Sequence, residues 1–444
     1  MPDTRKKRDL VSIDDLTNEE ILGLFDVADR FHEKLSGQSH RCPGCIMATI
    51  FAEPSTRTRL SFESAMHRLG GGVISATDPN TTSFAKGESL ADTVRVVGGS
   101  YADLIVLRHP DEGAALVAAR YAKVPVINAG DGAHEHPTQT LCDLYTLWKE
   151  KGHIEGLDVV LCGDLRYSRT VHSFAFALAR FKANIVTVPL PGFELPDHVV
   201  ERLKRERNVE VRRTEMGELS SLAERADVAY LTPHRPHQLS LFTSLDHVDV
   251  KKFDAIYMTR AQKERHGGES TAGYPRIDQG KLRGEKFKDT SVMHPLPRVD
   301  EISYDLDRDP RAVYFRQAEL GVPIRMALIG FLLGKVDLPA RAGRAGAMPV
   351  VVGGDGVKCG NPRCVVNREG ARYLEAEFRI RSPQPLLASC VFCDQETPVA
   401  CIGDRRQRRY GPALGAGVDW EHAVLFATEE QARQAGYAAV TAPA

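Results

Sequence analysis

Between residues 10 and 338, short apolar runs alternate with segments in which apolar residues recur every three or four positions. The runs are typical of buried strands, and the second spacing is typical of helices with one apolar face. The run 44–54 leads into the first such helix, with Ser55 placed as its N-cap. The apolar face of that helix consists of Phe62, Ala65, Met66 and Leu69. This alternation predicts an α/β protein.

Two further strand-to-helix units have the same form. The unit 123–152 places Pro137 in the first helical turn, where the missing N–H group does no harm. The apolar face of that helix comprises Leu141, Leu144, Tyr145 and Trp148. The unit 157–181 has a strand that ends at Gly163, but it lacks the G-x-G-x-x-G pattern and so does not predict dinucleotide binding.

The length of 444 residues exceeds what one hydrophobic core usually supports, so two or three domains are expected. Residues 341–349 combine small residues with two arginines, which predicts a linker. The net charge of −1 gives no general attraction to nucleic acid or to an anionic membrane. The basic start has no apolar run behind it, and the apolar stretch 326–334 is too short to span a bilayer. We therefore expect a cytoplasmic protein that binds neither nucleic acid nor membrane.

The nine cysteines are distributed unevenly along the chain. Near its end, a C-x4-C pair and a C-x2-C pair have the arrangement of a structural zinc site. The predicted ligands are Cys359, Cys364, Cys390 and Cys393. Because four thiolates leave no open position, we expect this zinc to be structural and to take no part in catalysis. Cys401 is not needed for the site, and Cys42 and Cys45 are interpreted as ordinary thiols.

Polar side chains follow three of the predicted strands. The segment 54–59, PSTRTR, lies at a strand-to-helix turn, where backbone N–H groups and the helix dipole favour phosphate and Arg57 can add a bidentate contact. Arg108 directly follows a second strand, and His136 stands immediately before a helix. Alone, the first segment is equally explained as a capped helix, and a single histidine is more often structural than catalytic. Because three strand ends present such groups together, we expect one shared anion site.

Six segments, in unbroken order from about residue 8 to 338, resemble the aspartate carbamoyltransferase family. They are FAEPSTRTR, KGE, RHP, HPTQ, TRAQKER and HPLPRVDEI. The resemblance implies the carbamoyltransferase fold, in which two Rossmann-like parallel-sheet domains are joined by helices. The carbamoyl-phosphate-binding domain would cover residues 1–150, completed by a C-terminal helix at about 318–338, and the aspartate-binding domain would cover residues 151–317.

The resemblance also implies a reaction. This family transfers the carbamoyl group of carbamoyl phosphate to L-aspartate, giving N-carbamoyl-L-aspartate and phosphate in pyrimidine biosynthesis, without a cofactor for catalysis. The implied contacts to carbamoyl phosphate are Ser55, Thr56, Arg57, Thr58, Ser83, Lys86, Arg108, His136, Gln139, Leu296 and Pro297. The implied contacts to aspartate are Lys86, Arg169, Arg260 and Gln262. The implied catalytic residues are Arg57, Thr58, Lys86, Arg108 and His136.

Ser83 and Lys86 match a loop that, in this family, reaches into the active site of the neighbouring subunit. The resemblance therefore implies a homotrimer with shared active sites, and assembly into higher oligomers stays open. The enzyme alternative is an ornithine carbamoyltransferase, which shares the carbamoyl-phosphate half. That family has a cysteine motif where this chain has HPLP, and Arg260 suits an anionic substrate better than a cationic one.

Residues 350–402 resemble the zinc domain of the aspartate carbamoyltransferase regulatory chain. They predict a small zinc-ribbon-like β domain that docks on the catalytic domain of its own or a neighbouring subunit. In the regulatory chain a nucleotide-binding domain precedes the zinc domain, but only the linker 341–349 does so here, so we expect no response to ATP or CTP. Residues 403–444 are predicted to be a basic tail with one short helix, whose capping box is Thr428 and Gln431.

The sequence also allows two non-enzyme interpretations. The basic run RRQRR at 405–409 would suit a zinc ribbon that binds nucleic acid, but the near-neutral charge and the absence of interleaved aromatic residues argue against it. A catalytically inactive scaffold is the second alternative. It conflicts with the presence of the expected residue type at every matched position of the site.

Overall fold

The computed structural model describes most of the chain. The described residues are 7–77, 86–207, 209–214, 226–232, 254–260, 276–339, 349–353, 357–369, 372–383, 386–412 and 419–440. Ser83 and Gln262, both predicted site residues, lie outside them. A search of the described helices finds none with both the length and the apolar character needed to cross a membrane.

The first domain is built on a parallel sheet, which over the described residues has the strand order β2–β1–β3–β4. The strands are β1 Ile46–Phe51, β2 Gly72–Ala76, β3 Leu104–His109 and β4 Val126–Asp131. The surrounding helices are α1 Asn18–Glu33, α2 Thr56–Arg68, α3 Leu90–Val96, α4 Ala114–Tyr121 and α5 Pro137–Lys151. Strands β3 and β4 are buried along their whole length, as expected where helices cover both faces of a parallel sheet.

The helix faces predicted from the sequence are confirmed. In α2 the apolar face is fully buried, and in α5 only Trp148 keeps partial exposure. Ser55 holds the N-cap position of α2, but its hydroxyl makes no capping bond. Ser55 Oγ instead donates to Thr58 Oγ1 at 3.0 Å. The backbone N–H groups of the first turn of α2 are thus not capped by the Ser55 side chain.

The second domain contains a parallel sheet whose strand order, within the described part of the chain, is β10–β9–β8–β5–β6–β7. The strands are β5 Asp158–Gly163, β6 Asn184–Pro189, β7 Arg212–Arg213, β8 Val228–Thr232, β9 Ala255–Met258 and β10 Ser291–Met293. The helices are α6 Arg169–Arg180 and α7 Asp197–Arg207. Helix α8, Tyr314–Leu332, returns to the first domain and packs against α1, α2 and α5. The two parallel sheets and this returning helix confirm the predicted fold class.

A third, mixed sheet follows, with the described strand order β14–β13–β12–β11–β17–β15–β16–β18. Its strands are β11 Val350–Gly353, β12 Glu377–Pro383, β13 Leu386–Cys390, β14 Glu396–Thr397, β15 Cys401–Asp404, β16 Arg409–Gly411, β17 Ala423–Phe426 and β18 Ala438–Ala439. Two short helices accompany it, α9 Val365–Arg368 and α10 Glu429–Gln434. We refer to this unit, which carries the four predicted metal ligands, as the metal-binding domain.

The sheet of the metal-binding domain continues past residue 402, where we expected a basic tail to begin. Strand β15 crosses that position, and β16, β17 and β18 extend the same sheet. They enclose a small core of their own, formed by Cys401, Tyr410, Val424, Phe426, Ala432 and Tyr437. The predicted short helix is present, with Thr428 Oγ1 accepting from the Gln431 N–H at 3.1 Å. The described residues 403–412 and 419–440 therefore belong to this domain, because they extend its sheet and enclose this core.

The metal-binding domain docks on the first domain of its own chain. The Glu112 N–H donates to the Arg363 carbonyl at 3.0 Å, and the Val365 N–H donates to the Glu112 carbonyl at 2.9 Å. Arg120 makes two bonds of 2.7 Å to the Glu377 carboxylate. Apolar residues of both domains form one continuous cluster, which includes Ile105, Leu107, Val117, Val365, Phe378 and Phe392. A shared core of this kind fixes how the two domains sit together.

A glycine at this interface provides a test of the docking. Gly113 has a φ of +86°, and a Cβ there would lie 2.6 Å from the carbonyl oxygen of Phe392. We expect Gly113→Ala to lower the free energy of unfolding by about 2–4 kcal/mol, since backbone strain and overpacking add. Urea unfolding of the full chain measures this loss.

The matched control is Gly192→Ala, because Gly192 has a similar φ of +83° and nothing within 4 Å of the added Cβ. This substitution should cost only the strain of about 1–2 kcal/mol. Equal losses in the two variants would contradict the close packing of Phe392 on Gly113.

Candidate active site and metal centre

A cavity of about 910 Å³ lies between the two parallel-sheet domains. Most of the predicted site residues line it together. These are Ser55, Thr56, Arg57, Thr58, Arg108, His136, Gln139, Arg169, Arg260, Leu296 and Pro297. Lys86 is exposed and is not part of this lining, while Ser83 and Gln262 lie outside the described residues. The cavity is thus lined by residues of both domains. Those of the first domain lie at the ends of β1, β3 and β4.

The N-terminus of α2 forms one wall of the cavity. Its first residues, Thr56 to Thr58, follow the end of β1, so the unpaired N–H groups of the first turn face this region. The pKa of Arg57 is lowered by burial and, secondly, by the positive charge of Arg260. Arg57 belongs to the first domain and Arg260 to the second. Two like charges in one cavity are best stabilised by an anion placed between them.

Glu53 is a site residue that the sequence analysis did not single out. Its Oε1 accepts from Arg108 Nη2 at 2.5 Å and from Arg169 Nη2 at 3.1 Å. Burial raises the pKa of Glu53, but Arg169 and Arg108 outweigh it and hold the pKa below its usual range. The ionised carboxylate therefore brings one arginine from each domain side by side. Glu53 lies within the FAEPSTRTR segment, so its position in that motif was the available signal.

The arrangement of these arginines also depends on a glycine. Arg169 Nη1 donates to the Gly132 carbonyl at 2.7 Å. Gly130 has a φ of +116°, and a Cβ there would lie 3.3 Å from Arg169 Cζ and 3.4 Å from Arg108 Nη1. The end of β4 therefore needs glycine both for its backbone conformation and for the close approach of the two guanidinium groups.

His136 holds the N-cap position of α5 and is buried. Burial, together with the positive charges of Arg169 and Arg108, places the pKa of His136 well below its usual range. The imidazole is therefore neutral near pH 7, and one ring nitrogen carries a proton that it can donate. The His136 N–H donates to Ser173 Oγ at 3.0 Å, which anchors the backbone at this position.

Behind His136, the carboxyl group of Asp143 organises two amide side chains. Gln139 Nε2 and Gln317 Nε2 each donate to Asp143 Oδ1 at 2.8 Å, and the Tyr257 hydroxyl donates to Oδ2 at 3.0 Å. Burial raises the pKa of Asp143 to about 7. Because the amide nitrogen of Gln139 donates to Asp143, the carbonyl oxygen of Gln139 is the atom that can accept a hydrogen bond in the cavity.

The turn that carries Leu296 and Pro297 is held by His294. His294 Nε2 bonds to Glu301 Oε1 at 2.8 Å, and the Leu296 N–H donates to His294 Nδ1 at 2.8 Å. The Leu296–Pro297 peptide bond is cis, and Leu296 has a φ of +52°. Through its two ring nitrogens, His294 therefore holds the HPLPRVDEI segment at Leu296 and at Glu301, a role that the motif alone did not indicate.

Arg325 of α8 is a further cavity residue that the sequence did not reveal. Its Nη1 donates to Ser61 Oγ at 3.0 Å and to the Gly321 carbonyl at 2.9 Å. Its guanidinium lies over the ring of Phe62, 5.0 Å from the centroid. Only the returning helix brings this charge to the cavity, and it adds to the positive potential there.

The four predicted metal ligands are brought together in the metal-binding domain. Their sulfur atoms lie within 4.8 Å of one another, and all four residues are buried. Cys359 Sγ is 3.4 Å from Cys393 Sγ, and Cys364 Sγ is 3.8 Å from Cys390 Sγ. These separations are far longer than a disulfide bond of about 2.05 Å. They are close to the distance of about 3.8 Å between sulfurs at the corners of a tetrahedron with metal–sulfur bonds of about 2.3 Å.

The surroundings of these cysteines also fit a metal site. The Asn361 N–H donates to Cys359 Sγ at 3.4 Å, as expected for a thiolate ligand that needs its charge stabilised. Cys401 packs in the separate small core and does not join the group. The donor set and its geometry therefore suit a single structural metal ion held by four thiolates.

Family models match three parts of the chain. Residues 8–149 match the aspartate/ornithine carbamoyltransferase carbamoyl-P binding domain, and residues 234–332 match the aspartate/ornithine carbamoyltransferase Asp/Orn binding domain. Residues 350–399 match the metal binding domain of the aspartate carbamoyltransferase regulatory chain. With the two parallel sheets and the arginine-lined cavity between them, these matches define the class: the chain is a carbamoyltransferase.

Curated relatives narrow the class to one family. An aspartate carbamoyltransferase catalytic subunit from Clostridium botulinum is 45% identical over 335 residues, which cover 74% of this chain and 99% of the relative. The catalytic subunit from Thermococcus onnurineus is 45% identical over 338 residues, covering 75% and 99%. The chain belongs to the aspartate carbamoyltransferase family. The ornithine and scaffold alternatives are not favoured by these relatives.

Solved structures agree with this placement. The catalytic subunit of aspartate transcarbamoylase from M. jannaschii is 43% identical, with a TM-score of 0.60, and covers 74% of this chain and 98% of that one. The Trypanosoma cruzi enzyme in complex with carbamoyl phosphate and aspartate is 34% identical, with a TM-score of 0.59, covering 73% and 95%. The similarity covers the two catalytic domains, and the metal-binding domain lies beyond it.

The raised pKa of Asp143 predicts how stability depends on pH. An Asp with a pKa of about 7 when folded binds more protons than the unfolded chain between about pH 4 and pH 7, so its burial lowers stability as pH rises through this window. Asp143→Asn removes this titration. The unfolding free energy of both proteins is compared between pH 5 and pH 8. We expect it to fall by about 2–4 kcal/mol less in the variant than in the wild type.

The measurement is urea unfolding of both proteins at the two pH values. The Asn side chain has almost the same shape, so both proteins should fold at pH 5, where the Asp143 carboxyl is protonated. The same pH dependence in both proteins would contradict the raised pKa of Asp143.

Proposed function

We propose that the cavity transfers the carbamoyl group of carbamoyl phosphate to the amine of L-aspartate, giving N-carbamoyl-L-aspartate and phosphate. The observation that carries this proposal is the placement of arginines from both domains around the N-terminus of α2 and a neutral His136. The related Trypanosoma cruzi enzyme is named as a complex with the same two substrates. The N-carbamoyl-L-aspartate formed in this way would enter pyrimidine biosynthesis.

The first domain supplies the carbamoyl phosphate half of the site. The N–H groups at the start of α2, the hydroxyls of Ser55, Thr56 and Thr58, and the fork of Arg57 hold the phosphate. The carbamoyl oxygen is placed toward Thr58, Arg108 and His136. The carbonyl oxygen of Gln139 then accepts from the carbamoyl amide group, since its nitrogen is held by Asp143.

The reaction needs stabilisation of charge on that oxygen. The aspartate amine attacks the carbamoyl carbon, and the electron pair of the carbonyl moves onto the oxygen. When it returns, the carbon–oxygen bond to phosphate breaks, and the amine proton leaves with the phosphate. Donors already in place act as an oxyanion hole, with each contributing about 3–4 kcal/mol. A neutral His136 donates to the oxygen without losing a proton.

The aspartate half comes from the second domain. Arg169 is assigned to the α-carboxylate, and Arg260, with Gln262, to the side-chain carboxylate. A planar guanidinium binds a carboxylate through two parallel bonds, which a lysine could not provide. The backbone of Leu296 and Pro297 is assigned to the carbamoyl and amine groups. Holding two anionic substrates together in this way accounts for much of the rate, at most about 7–11 kcal/mol.

Lys86, with Ser83, is assigned to the active site of a neighbouring subunit in a homotrimer. The exposed position of Lys86 outside the cavity of its own chain supports this assignment. Assembly beyond the trimer stays open. That catalysis needs no cofactor and that the protein is cytoplasmic remain predictions, the second in keeping with the unbridged thiols of a reducing compartment.

We assign zinc to the four-cysteine site, held by Cys359, Cys364, Cys390 and Cys393. A thiolate set of four is the donor set that zinc prefers in structural sites, and it leaves no position for a substrate. The ion would join the loop before α9 to the end of β13. It supplies a cross-link for folding and no chemistry in the transfer.

The site assignment predicts a strong effect of Arg57→Ala. We expect kcat for carbamoyl transfer to fall by at least about 100-fold, because the variant loses the cation that stabilises the departing phosphate. Steady-state assays with carbamoyl phosphate and aspartate measure the loss. The matched control is Arg68→Ala, which removes an exposed arginine from the other end of the same helix and should leave kcat unchanged. Near-normal turnover of Arg57→Ala would refute the assignment.

The zinc assignment predicts about one zinc per chain in freshly purified, reduced protein. Cys390→Ser should lose the metal and lower the thermal midpoint, because three thiolates bind zinc less tightly and the domain folds around the ion. Cys401→Ser changes a buried cysteine of the same sheet that is not a ligand, and it should keep the metal. Metal analysis that finds another ion, or none, would contradict the assignment.

A further inference from the structure

Side chains of all three domains meet at the carboxylate of Asp394, in the metal-binding domain. Asp394 Oδ1 accepts from Arg379 Nη1 at 3.1 Å and from Arg381 Nη2 at 3.0 Å, both on β12. Asp394 Oδ2 accepts from Arg202 Nη1 of α7 at 3.0 Å and lies 3.4 Å from His134 Nε2, after β4. The carboxylate is only 13% exposed. A buried charge with these partners holds the three domains in one arrangement.

The contact with His134 leads directly toward the active site. His134 Nδ1 lies 3.1 Å from Asp131 Oδ2, so both ring nitrogens face carboxylate oxygens, as only a doubly protonated ring can donate to both. Asp131 Oδ1 accepts from the Glu135 N–H at 3.1 Å. Asp131 is therefore bonded to both His134 and Glu135, which holds the segment 131–135 in place. His136 is the next residue in the chain.

The contact with Arg202 leads to the same residue by a second route. The Arg202 guanidinium lies over the ring of Phe176, 4.0 Å from its centroid, and its Nη1 is 3.9 Å from Glu135 Oε1. Glu135 Oε2 accepts from Ser173 Oγ at 3.3 Å, and Ser173 Oγ accepts from the His136 N–H. Both routes end on the backbone that carries the His136 ring.

We propose that Asp394 is a positioning residue for His136, acting through His134 and Arg202. Asp394 does not line the substrate cavity, so it acts without touching substrate. It directly follows the metal ligand Cys393, and the fold of the metal-binding domain therefore delivers this carboxylate to the catalytic domains. The inference rests on the proposed function, because it assigns His136 to the carbamoyl oxygen.

The test is Asp394→Asn in the full chain, which keeps the size of the side chain and removes its charge. A shift of about 1 Å at a catalytic group costs up to about 100-fold in rate, so we expect kcat to fall by about ten- to 100-fold. The KM for carbamoyl phosphate should change by less than about threefold, because the phosphate is held by α2, outside this network. Asp394→Glu restores the charge and should recover part of kcat.

The matched control is Asp419→Asn in the same domain. Asp419 Oδ2 is also paired with a histidine and an arginine, 2.9 Å from His422 Nδ1 and 3.7 Å from Arg406 Nη1, but Asp419 is exposed and does not line the cavity. Its substitution should leave kcat within about twofold of the wild type. Metal content and thermal midpoint are measured for every variant, so that loss of folded protein is separated from loss of rate.

A second variant, His134→Gln, cuts the same network and leaves the metal-binding domain unchanged. It should lower kcat as Asp394→Asn does, and the double variant should lose little more than either single one, because both break one connection. If Asp394→Asn does not fold, the kcat of His134→Gln alone decides whether the positioning role holds. A folded, metal-loaded variant of either kind with kcat within about twofold of the wild type would overturn the positioning role, as would additive effects. An inactive wild-type chain would instead contradict the proposed function, and the positioning role with it.

Discussion

The active site depends on holding several guanidinium groups around one small space although their charges repel. The Glu53 carboxylate offsets part of this repulsion, since it accepts from Arg108 of the first domain and Arg169 of the second. One buried anion thereby sets both the spacing of two cations and the approach of two domains. The remaining positive charge, from Arg57, Arg260 and Arg325, leaves the cavity suited to anionic substrates.

Burial and the positive charges of these arginines also set the protonation of the titratable groups. The pKa of His136 is held far below its usual range by burial and by the neighbouring arginines, so the ring stays neutral. Burial raises the pKa of Asp143 to about 7, although its hydrogen bonds and Arg325 oppose the rise, and its carboxyl group orients Gln139 and Gln317. Burial thus favours the neutral form of both residues, although one is a base and the other an acid.

The metal-binding domain also packs against the catalytic domains and pairs with their charges. It shares a hydrophobic core with the first domain, and its Asp394 meets charged groups of both catalytic domains. The family model that it matches is that of the metal binding domain of the aspartate carbamoyltransferase regulatory chain. Fusion in one chain makes the contact permanent, because the two surfaces are joined covalently and pack as one core.

The sequence by itself determined the local structure and the chemistry of the principal residues. Apolar spacing predicted α2 and α5, polar groups at three strand ends together predicted an anion site, and the cysteine spacing predicted a closed metal site. The helices are local features, each encoded within one segment, and the metal ligands come from two cysteine pairs close together in the chain. The roles of Glu53, His294 and Arg325, the continuation of the third sheet past residue 402 and the contacts of Asp394 were decided only by the tertiary structure. Each depends on partners far apart in the chain, and their charges and shapes act on one another only after the domains have packed.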